Sequence, residues 1–294
     1  MRQASRRWYR GDLTWSVFNY AALSLIAFAT LYPFYWVIIA SVSQPFQVLV
    51  GNVTLWPQGF ATSAYGIVFA YTPLWRSFAM TVFYTVAGTT LNILLTMMMA
   101  YPLSRIWLRG RSFFSWIVVF TMFFGGGMIP SFLLIRSLKM LDTIWAMIIP
   151  GAVSAFNLIM ARTYLTANLP DEIVESAQMD GANDLRIFWS IVMPLSGPII
   201  AVLVLFYAVA HWNDLFSGLV YLQSQELFPL QLVMRNMVTL DWLVGLPTGT
   251  GKFSQFRFNI RYAVIVVGTV PILAVYPFVQ RYFVKGVMLG SLKG

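Results

Sequence analysis

Residues 77–104 read SFAMTVFYTVAGTTLNILLTMMMAYPLS, an apolar stretch that contains no charged side chain. Crossing the hydrocarbon layer of a bilayer, about 30 Å thick, takes about 20 helical residues. Backbone N–H and C=O groups find no water in lipid, so a helix, which pairs them internally, is the economical way across. The stretch therefore predicts a membrane-spanning helix and points to an all-α integral membrane fold.

Other apolar windows of comparable length accompany it along the chain. They lie at 15–41, 113–135, 143–161, 196–222 and 262–280. None shows the period-two alternation that is typical of an outer-membrane barrel. Together with 77–104 they predict six transmembrane helices. The more polar segment 55–75 is predicted to lie at the membrane surface.

Composition supports this class and excludes several functions. Of the 294 residues, 59% are hydrophobic and 10% are charged, whereas an ordinary globular domain has about a quarter of its residues charged. The absence of cysteine excludes disulfides and thiolate metal sites. The net charge of +9 does not indicate nucleic-acid binding, because the cations flank apolar segments where anionic headgroups attract them.

The distribution of Lys and Arg predicts the orientation. With the N-terminus inside, most of the 19 cationic residues fall in internal segments, namely Arg2, Arg6, Arg7, Arg10, Arg105, Arg109, Arg111, Arg162, Arg186, Arg281, Lys285 and Lys293. The outer segments are longer in total but hold fewer: Arg76, Arg136, Lys139, Arg235, Lys252, Arg257 and Arg261. The positive-inside rule therefore predicts that both termini are cytoplasmic.

The loop at 162–195, between the fourth and fifth predicted spans, holds half of the ten acidic residues. They are Asp171, Glu172, Glu175, Asp180 and Asp184. Pro170 suits the first helical position, and Asp171 and Glu172 favour the positive end of the helix dipole. Gly181 is expected to end this helix, and Asn183 to cap a second one.

The second helix of this loop has apolar residues at helical spacing: Leu185, Phe188, Trp189 and Val192. The loop is thus predicted to be a helix-turn-helix element with an acidic face and an apolar face. Such a shape suits docking into a groove on another protein. A solvated acidic loop with ordinary capping residues is the alternative.

The spacing in this loop resembles a known signature. Glu175-Ser176-Ala177, three residues, Gly181, nine residues and Ile191-Val192-Met193-Pro194 are similar to the cytoplasmic motif of ABC importer permeases, Glu-Ala-Ala, Gly and Ile-x-Leu-Pro. Ser replaces the middle Ala and Met replaces Leu. The resemblance implies a coupling helix that sits in a cleft of an ATP-hydrolysing subunit. The implied coupling residues are Asp171, Glu172, Glu175, Ser176, Ala177, Asp180, Gly181, Ala182, Leu185 and Phe188.

In that family Glu175 would pair with a cation of the ATPase, Gly181 would permit the bend, and the apolar residues would fill the cleft. ATP and magnesium would bind to the partner ATPase subunits, with no cofactor on this chain. Residues 245–253, GLPTGTGKF, only imitate a P-loop. Their spacing is wrong, and Phe253 stands where Ser or Thr must hold magnesium. The chain is therefore predicted not to be an enzyme.

The resemblance extends over nearly the whole chain. Four further runs look like MalG-like carbohydrate permeases: 124–130, 141–146, 211–213 and 229–231. They are most similar to the branch for complex polysaccharides, including the permeases of an alginate importer. The implied arrangement is one permease domain over 1–294 in the bacterial inner membrane. It would work with a second permease, two ATPase copies, an extracytoplasmic binding protein and membrane lipid.

Polar groups within apolar spans are costly and tend to face an internal cavity. The candidates for a substrate pathway are His211, Asn213, Asp214, Asn157 and Gly126, with Asn92 in the second span. Hydrogen bonds between helices are the alternative role for the Asn residues, and His211 and Asp214 could satisfy one another. Gly125–Gly127 with Pro130 is expected to break the third span, either to open backbone groups to a pathway or for close helix packing.

The outer loop is predicted to form a basic mouth that contacts the binding protein, with Arg235, Gly249, Lys252, Arg257 and Arg261 as the residues concerned. A positive mouth favours acidic sugars, although interfacial cations also contact lipid. An importer permease for an amino acid or phosphate shares the signature. An ion-coupled secondary transporter would need internal repeats and a charged midplane site.

Overall fold

The computed structural model describes residues 10–239, 259–271, 273 and 274, and in this part of the chain the regular structure is helical. The helices are α1 Arg10–Ser41, α2 Pro45–Val50, α3 Ser63–Ala70, α4 Thr72–Ser104, α5 Arg111–Phe123, α6 Met128–Ser137, α7 Trp145–Ile148, α8 Ala155–Asn168, α9 Asp171–Met179, α10 Asp184–Ile187, α11 Met193–Leu195, α12 Gly197–Trp212, α13 Phe216–Tyr221, α14 Leu230–Thr239 and α15 Asn259–Pro271. A π-helical turn, Phe188–Val192, joins α10 to α11. The prediction of an all-α membrane fold is confirmed.

Two of the described helices are long and apolar enough to cross a bilayer by themselves, over Trp15–Ser41 and Thr72–Ser104. Two bent pairs pass the same test together: α5 with α6, at 113°, and the α10–α11 segment with α12, at 81°. The described residues thus offer up to four spans, with α15 as a shorter apolar helix. The predicted count of six is not established by these helices.

The expected break in the third span lies where the glycines are. Residues 124–127 separate α5 from α6, and Gly127 has φ +81°, a conformation that L side chains rarely adopt. The fourth window, 143–161, is not one helix, because Gly151 at φ +75° separates α7 from α8. The fifth, 196–222, is divided between α12 and α13. Both windows are apolar throughout, so their hydropathy did not reveal that each is divided into two helices.

The described residues form two compact units. The first comprises, among the described residues, 10–70, 237–239 and 259–269. In this unit Trp36 of α1 donates its indole N–H to the Val53 carbonyl at 2.8 Å and packs edge-on against Tyr262 of α15. The Asn259 amide donates to the Ser43 carbonyl. These contacts hold α1, the α2 region and α15 together.

The second unit, whose described residues are 71–236, 270, 271, 273 and 274, is built around α4. Helices α8 and α12 pack along α4, and their apolar side chains form the main core. That core includes Met97, Ala100, Leu158, Leu165, Val192 and Leu203. Towards its N-terminal end, α4 holds the segment before α14, since Tyr84 Oη donates to the Leu227 carbonyl at 2.9 Å. The opposite end of α4 lies beside α9.

Candidate functional site

The predicted helix-turn-helix element is present as α9, a turn and α10, and local rules explain its shape. Gly181 has φ +78°. Its N–H donates to the Gln178 carbonyl at 2.9 Å, and the Ala182 N–H donates to the Ala177 carbonyl at 3.0 Å, which is the bond pattern of a Schellman motif. Asn183 Oδ1 then accepts from the Arg186 N–H at 2.9 Å and caps α10. The expected roles of Gly181 and Asn183 are confirmed.

One face of this element is buried against the core around α4. Val174 of α9 and Ile187 of α10 are buried in the same cluster as the last turns of α4 and α8. Ala177 and Ala182 pack partly buried against that cluster, where small side chains allow close approach. The element is therefore packed firmly against the core of its own chain.

The other face is exposed and mixes apolar with acidic side chains. Its large apolar residues are Ile173, Met179, Leu185 and Trp189, with Met179 89% and Leu185 65% exposed. Its acidic residues are Glu172, Glu175, Asp180 and Asp184. Ser176 is exposed beside them and donates its hydroxyl to the Glu172 carbonyl at 2.8 Å. We call these nine residues the docking face.

Five of the expected coupling residues are not part of the docking face: Ala177 and Ala182 pack against the core, Gly181 forms the turn, and Phe188 and Asp171 face the chain itself. Phe188 is buried in the core around α4, where its ring lies 6.1 Å from that of Tyr101, so it cannot fill a cleft of another protein. Asp171 is half-buried and bonded within the chain. The predicted apolar face of Leu185, Phe188, Trp189 and Val192 is wrong as a single face, because Phe188 and Val192 are buried in the core whereas Leu185 and Trp189 are exposed.

Arg105, which sequence reasoning used only for orientation, is the partner of Asp171. Its Nη1 lies 2.5 Å from Asp171 Oδ1, and its side chain is 1% exposed. The same guanidinium donates to the Leu169 carbonyl from Nη1 and Nη2, to the Leu165 carbonyl from Nη2 and to Ser104 Oγ from Nε. Two features of the sequence could have indicated this pair. One is the arginine directly after an apolar span, and the other is the acidic cluster in a later loop.

Two of the candidate pathway residues, Asn92 and His211, lie at the contact between α4 and α12, together with Thr96 and Tyr207, which were not predicted. A hydrogen bond joins Asn92 Nδ2 to His211 Nε2 at 3.0 Å, and another joins Thr96 Oγ1 to Tyr207 Oη at 2.6 Å. The order of these pairs shows that α4 and α12 run antiparallel. We call these four residues the polar seam. The alternative role for Asn92, a hydrogen bond between helices, is thus the observed one.

Gly88 explains why His211 fits at this point. A Cβ built on Gly88 would lie 2.4 Å from His211 Nε2, closer than real side-chain contacts allow. Glycine at this turn of α4 therefore makes room for the imidazole. Several buried polar atoms nearby have no hydrogen-bond partner among the described residues: Thr85 Oγ1, Thr89 Oγ1, Asn92 Oδ1 and Trp212 Nε1.

The remaining pathway candidates are not gathered around His211. Asp214 Oδ1 accepts from the Ser217 N–H at 3.0 Å and supports the start of α13, so its carboxylate does not bond His211 as expected. Asn213 donates to the Val209 carbonyl at 2.9 Å. Asn157 is buried on α8, and Gly126 is exposed in the break between α5 and α6.

The predicted basic mouth is only partly described. Arg235 is exposed on α14, where it donates to Asn236 Oδ1 at 3.2 Å, and Arg261 is half-buried on α15. Gly249, Lys252 and Arg257, and the whole run 245–253, lie outside the described residues. The described part of the chain contains no group of His, Asp and Glu that could hold a metal ion.

Comparisons with known proteins agree on one kind of molecule. The family described as "Binding-protein-dependent transport system inner membrane component" matches residues 66–289. Protein LplC of Bacillus subtilis strain 168 is 40% identical over 95% of this chain and 94% of its own length. The polygalacturonan/rhamnogalacturonan transport system permease protein YtcP of the same organism is 43% identical over 94% of this chain and 96% of its own.

A solved structure gives the same result. One chain of a bacterial ABC transporter involved in the import of the acidic polysaccharide alginate is similar in fold, with a TM-score of 0.84. It is 35% identical in sequence, and the likeness covers 94% of this chain and 99% of that one.

Proposed function

The chain belongs to the family of binding-protein-dependent transport system inner membrane components, and we propose that it is the permease of an ATP-driven importer for oligosaccharides of an acidic polysaccharide. As an inner-membrane permease component it is not the ATP-hydrolysing subunit. The observation that carries the proposal is the docking face, an exposed apolar and acidic surface on an element fixed to the ends of α4 and α8.

The docking face would seat in a groove of the ATPase subunit. Met179 and Leu185 would supply the buried apolar contacts, and Glu175 would meet a cation of the partner. A helical element with exposed apolar side chains and flanking charges suits this mode of recognition. We propose two ATPase copies, a second permease and an extracytoplasmic binding protein as the other subunits, with both termini of this chain cytoplasmic. Magnesium and ATP would be held by the ATPase subunits.

The substrate class follows from the relatives. YtcP is named for polygalacturonan and rhamnogalacturonan, and the similar structure is that of an alginate importer. Both names concern polymers that contain uronic acids, whose carboxylates a positive outer surface would attract. Alginate oligosaccharides are our specific candidate. Arg235 and Arg261, together with Lys252 and Arg257, are the cations proposed for this role.

The polar seam is proposed as part of the transport pathway. In the structure α4 and α12 are packed too closely at Gly88 to admit a sugar. Buried polar groups normally have hydrogen-bond partners, and the unpartnered Thr89 and Asn92 atoms would gain them from sugar hydroxyls or water when the helices separate. Alternating access by movement of helix bundles would provide that separation.

Uptake by the reconstituted complex tests this proposal. Proteoliposomes that contain the chain with its partner subunits and binding protein, with ATP at the ATPase, are given mannuronate–guluronate or galacturonate oligomers. We expect ATP-dependent uptake of at least one of these, and none with ADP or without the ATPase. Neutral arabino-oligosaccharides of equal length serve as the control. Uptake without ATP, or of the neutral sugars alone, would contradict the proposal.

A further inference from the structure

The Arg105 side chain joins three helices at one point. It follows the last residue of α4, and its donors reach the Leu165 and Leu169 carbonyls at the end of α8 and the Asp171 carboxylate at the start of α9, at 2.5 to 3.2 Å. With the bond to Ser104, acceptors are present for all five N–H groups that a guanidinium carries. We call Arg105 with these four acceptor residues the latch.

The acceptors in the latch suit a cation for a physical reason. The carbonyls at the end of α8 form the negative end of its dipole, and they lie next to the carboxylate of Asp171. A buried charge is tolerated only where pairing and hydrogen bonds replace its hydration. Lysine has three donors on one atom and could not reach all these acceptors. The site is therefore built for arginine.

Neighbouring contacts reinforce the same connection. Arg162 of α8 donates from Nε to the Leu103 carbonyl at 3.1 Å, and Thr166 donates its hydroxyl to the Ser104 carbonyl at 3.5 Å. Both bonds join the last turn of α4 to α8. On the apolar side, Val174 of α9 is buried in the core shared with these helices. The ends of α4 and α8 and the start of α9 thus hold one another by polar and apolar contacts.

The path along the chain to α12 is different. After α10 the backbone passes through the π-helical turn Phe188–Val192 and then bends by 81° before α12. A π-helical turn interrupts the regular ladder and is often a site of adjustment. A continuous stiff helix therefore does not lead from the docking face into α12. The latch offers a connection that crosses neither the π-helical turn nor the bend.

We propose that Arg105 is a positioning residue that makes α9 and the adjoining ends of α4 and α8 move as one body, so that motion of the docking face reaches the transmembrane helices through the latch. This inference rests on the proposed function, because it assumes that an ATPase moves the docking face. Arg105 itself touches neither ATP nor sugar. Its loss leaves the docking face in place but lets it move without α4.

The first test measures sugar transported per ATP hydrolysed in assembled complexes. Arg105→Met removes the latch, Asp171→Asn removes its charge pair while the carbonyl bonds remain, and Arg105→Lys keeps the charge. We expect the ratio to fall about tenfold or more in Arg105→Met, as expected when hydrogen bonds to a charged group are lost. The ratios for Asp171→Asn and Arg105→Lys should lie between those of Arg105→Met and the wild type.

The matched control is Arg76→Met at the other end of α4, where the ion pair with Glu226 is exposed. It should leave the ratio unchanged. If the Arg105→Met complex does not assemble, the ratios measured for Asp171→Asn and Arg105→Lys test the inference instead. A wild-type ratio in assembled Arg105→Met or, failing that, in both milder variants would overturn the inference, since a role limited to stability does not alter transport per ATP.

The second test measures rigidity and needs no substrate. Because the chain has no cysteine, Met98→Cys on α4 and Gln178→Cys on α9, both at exposed positions, carry the only spin labels in it. We expect the same label–label distance in nucleotide-free and ATP-trapped complexes, and a changed or broadened distribution with Arg105→Met. A shift between the two states in the otherwise wild-type chain would overturn the latch. Failure of acidic-sugar uptake would refute the proposed substrate without affecting this result.

Discussion

Helix α4 has an arginine ion pair near each end, and the two pairs differ in burial. Near its start, Arg76 Nη2 lies 2.8 Å from Glu226 Oε2, with the side chains 55% and 69% exposed. Beyond its end, Arg105 is buried and bonds Asp171 together with two backbone carbonyls and a hydroxyl. The distances are similar, but the surroundings of the two pairs are not.

The difference shows why distance alone does not measure what an ion pair contributes. An exposed pair is worth about 0–1 kcal/mol, because water and salt screen it and two long side chains lose freedom. A buried arginine gains little over a well-packed apolar group, yet its removal leaves the Asp171 carboxylate and the end of α8 without their partner. Arg105 is thus costly to lose, whereas Arg76 is not.

The largest effect expected from this comparison is on stability. Arg105→Met should lower the free energy of unfolding by about 3 kcal/mol, the upper end of the cost of leaving buried carbonyl acceptors without a partner, since the Asp171 carboxylate that remains is 42% exposed and keeps part of its hydration. Arg76→Met should change it by no more than about 1 kcal/mol. Denaturant unfolding of the purified protein in detergent, followed by tryptophan fluorescence, measures both. Equal losses for the two variants would show that burial is not the deciding difference.

A smaller effect is expected between the two ends, at Gly88. Gly88→Ala would place a methyl group 2.4 Å from the His211 ring, so the ring must move and its bond to Asn92 weakens. Overpacking of this kind costs about 1–3 kcal/mol. The same unfolding measurement checks it, with sugar uptake as a second readout.

Gly66→Ala in α3 is the matched control for Gly88→Ala. Gly66 is also helical, but no atom lies within 4 Å of an added Cβ. Alanine there should stabilise the helix by about 0.5–1 kcal/mol. If the two alanine variants behaved alike, close packing of α4 against His211 would not be the reason for glycine at position 88.

Sequence reasoning succeeded where the rules are local. Gly181 and Asn183 act on their own turns, so the end of α9 and the cap of α10 could be predicted from single residues, and Pro170 marked the start of α9 to within one position. The glycines at 125–127 likewise marked the break between α5 and α6. Each of these features depends on backbone conformation within a few residues.

It failed where a partner lies far along the chain. Nothing in the local sequence predicts that Arg105 pairs with Asp171, 66 positions away. Nor does it predict that His211 bonds Asn92 rather than Asp214, which is nearer in sequence. The position of Phe188 was predicted wrongly, because helical spacing shows which residues can share a face but not which part of the molecule that face contacts. The window 143–161 concealed a turn because hydropathy averages over Gly151.

The smallest predicted effect concerns Asp142, which bonds the segment that carries Glu226, the partner of Arg76. Its dependence on pH tests whether a carboxylate charge matters at this end of α4. Asp142 Oδ1 accepts from the N–H groups of Gln223 and Ser224 at 2.9 and 2.8 Å, and Oδ2 accepts from the Ser224 hydroxyl at 2.6 Å. The Ser224 hydroxyl first, and then the two N–H groups, hold the pKa of Asp142 below its ordinary value. The ionised carboxylate therefore fixes the segment that also carries Glu226.

Because the folded-state pKa of Asp142 is lowered, its contribution is complete above the unfolded pKa of about 3.9 and is lost as pH falls through the lower folded value. The thermal midpoint of the wild type should exceed that of Asp142→Asn by a constant amount near neutral pH, and the gap should close below about pH 4. A gap for Asp142→Asn that persists unchanged in acid would mean that the carboxylate charge does not fix this segment.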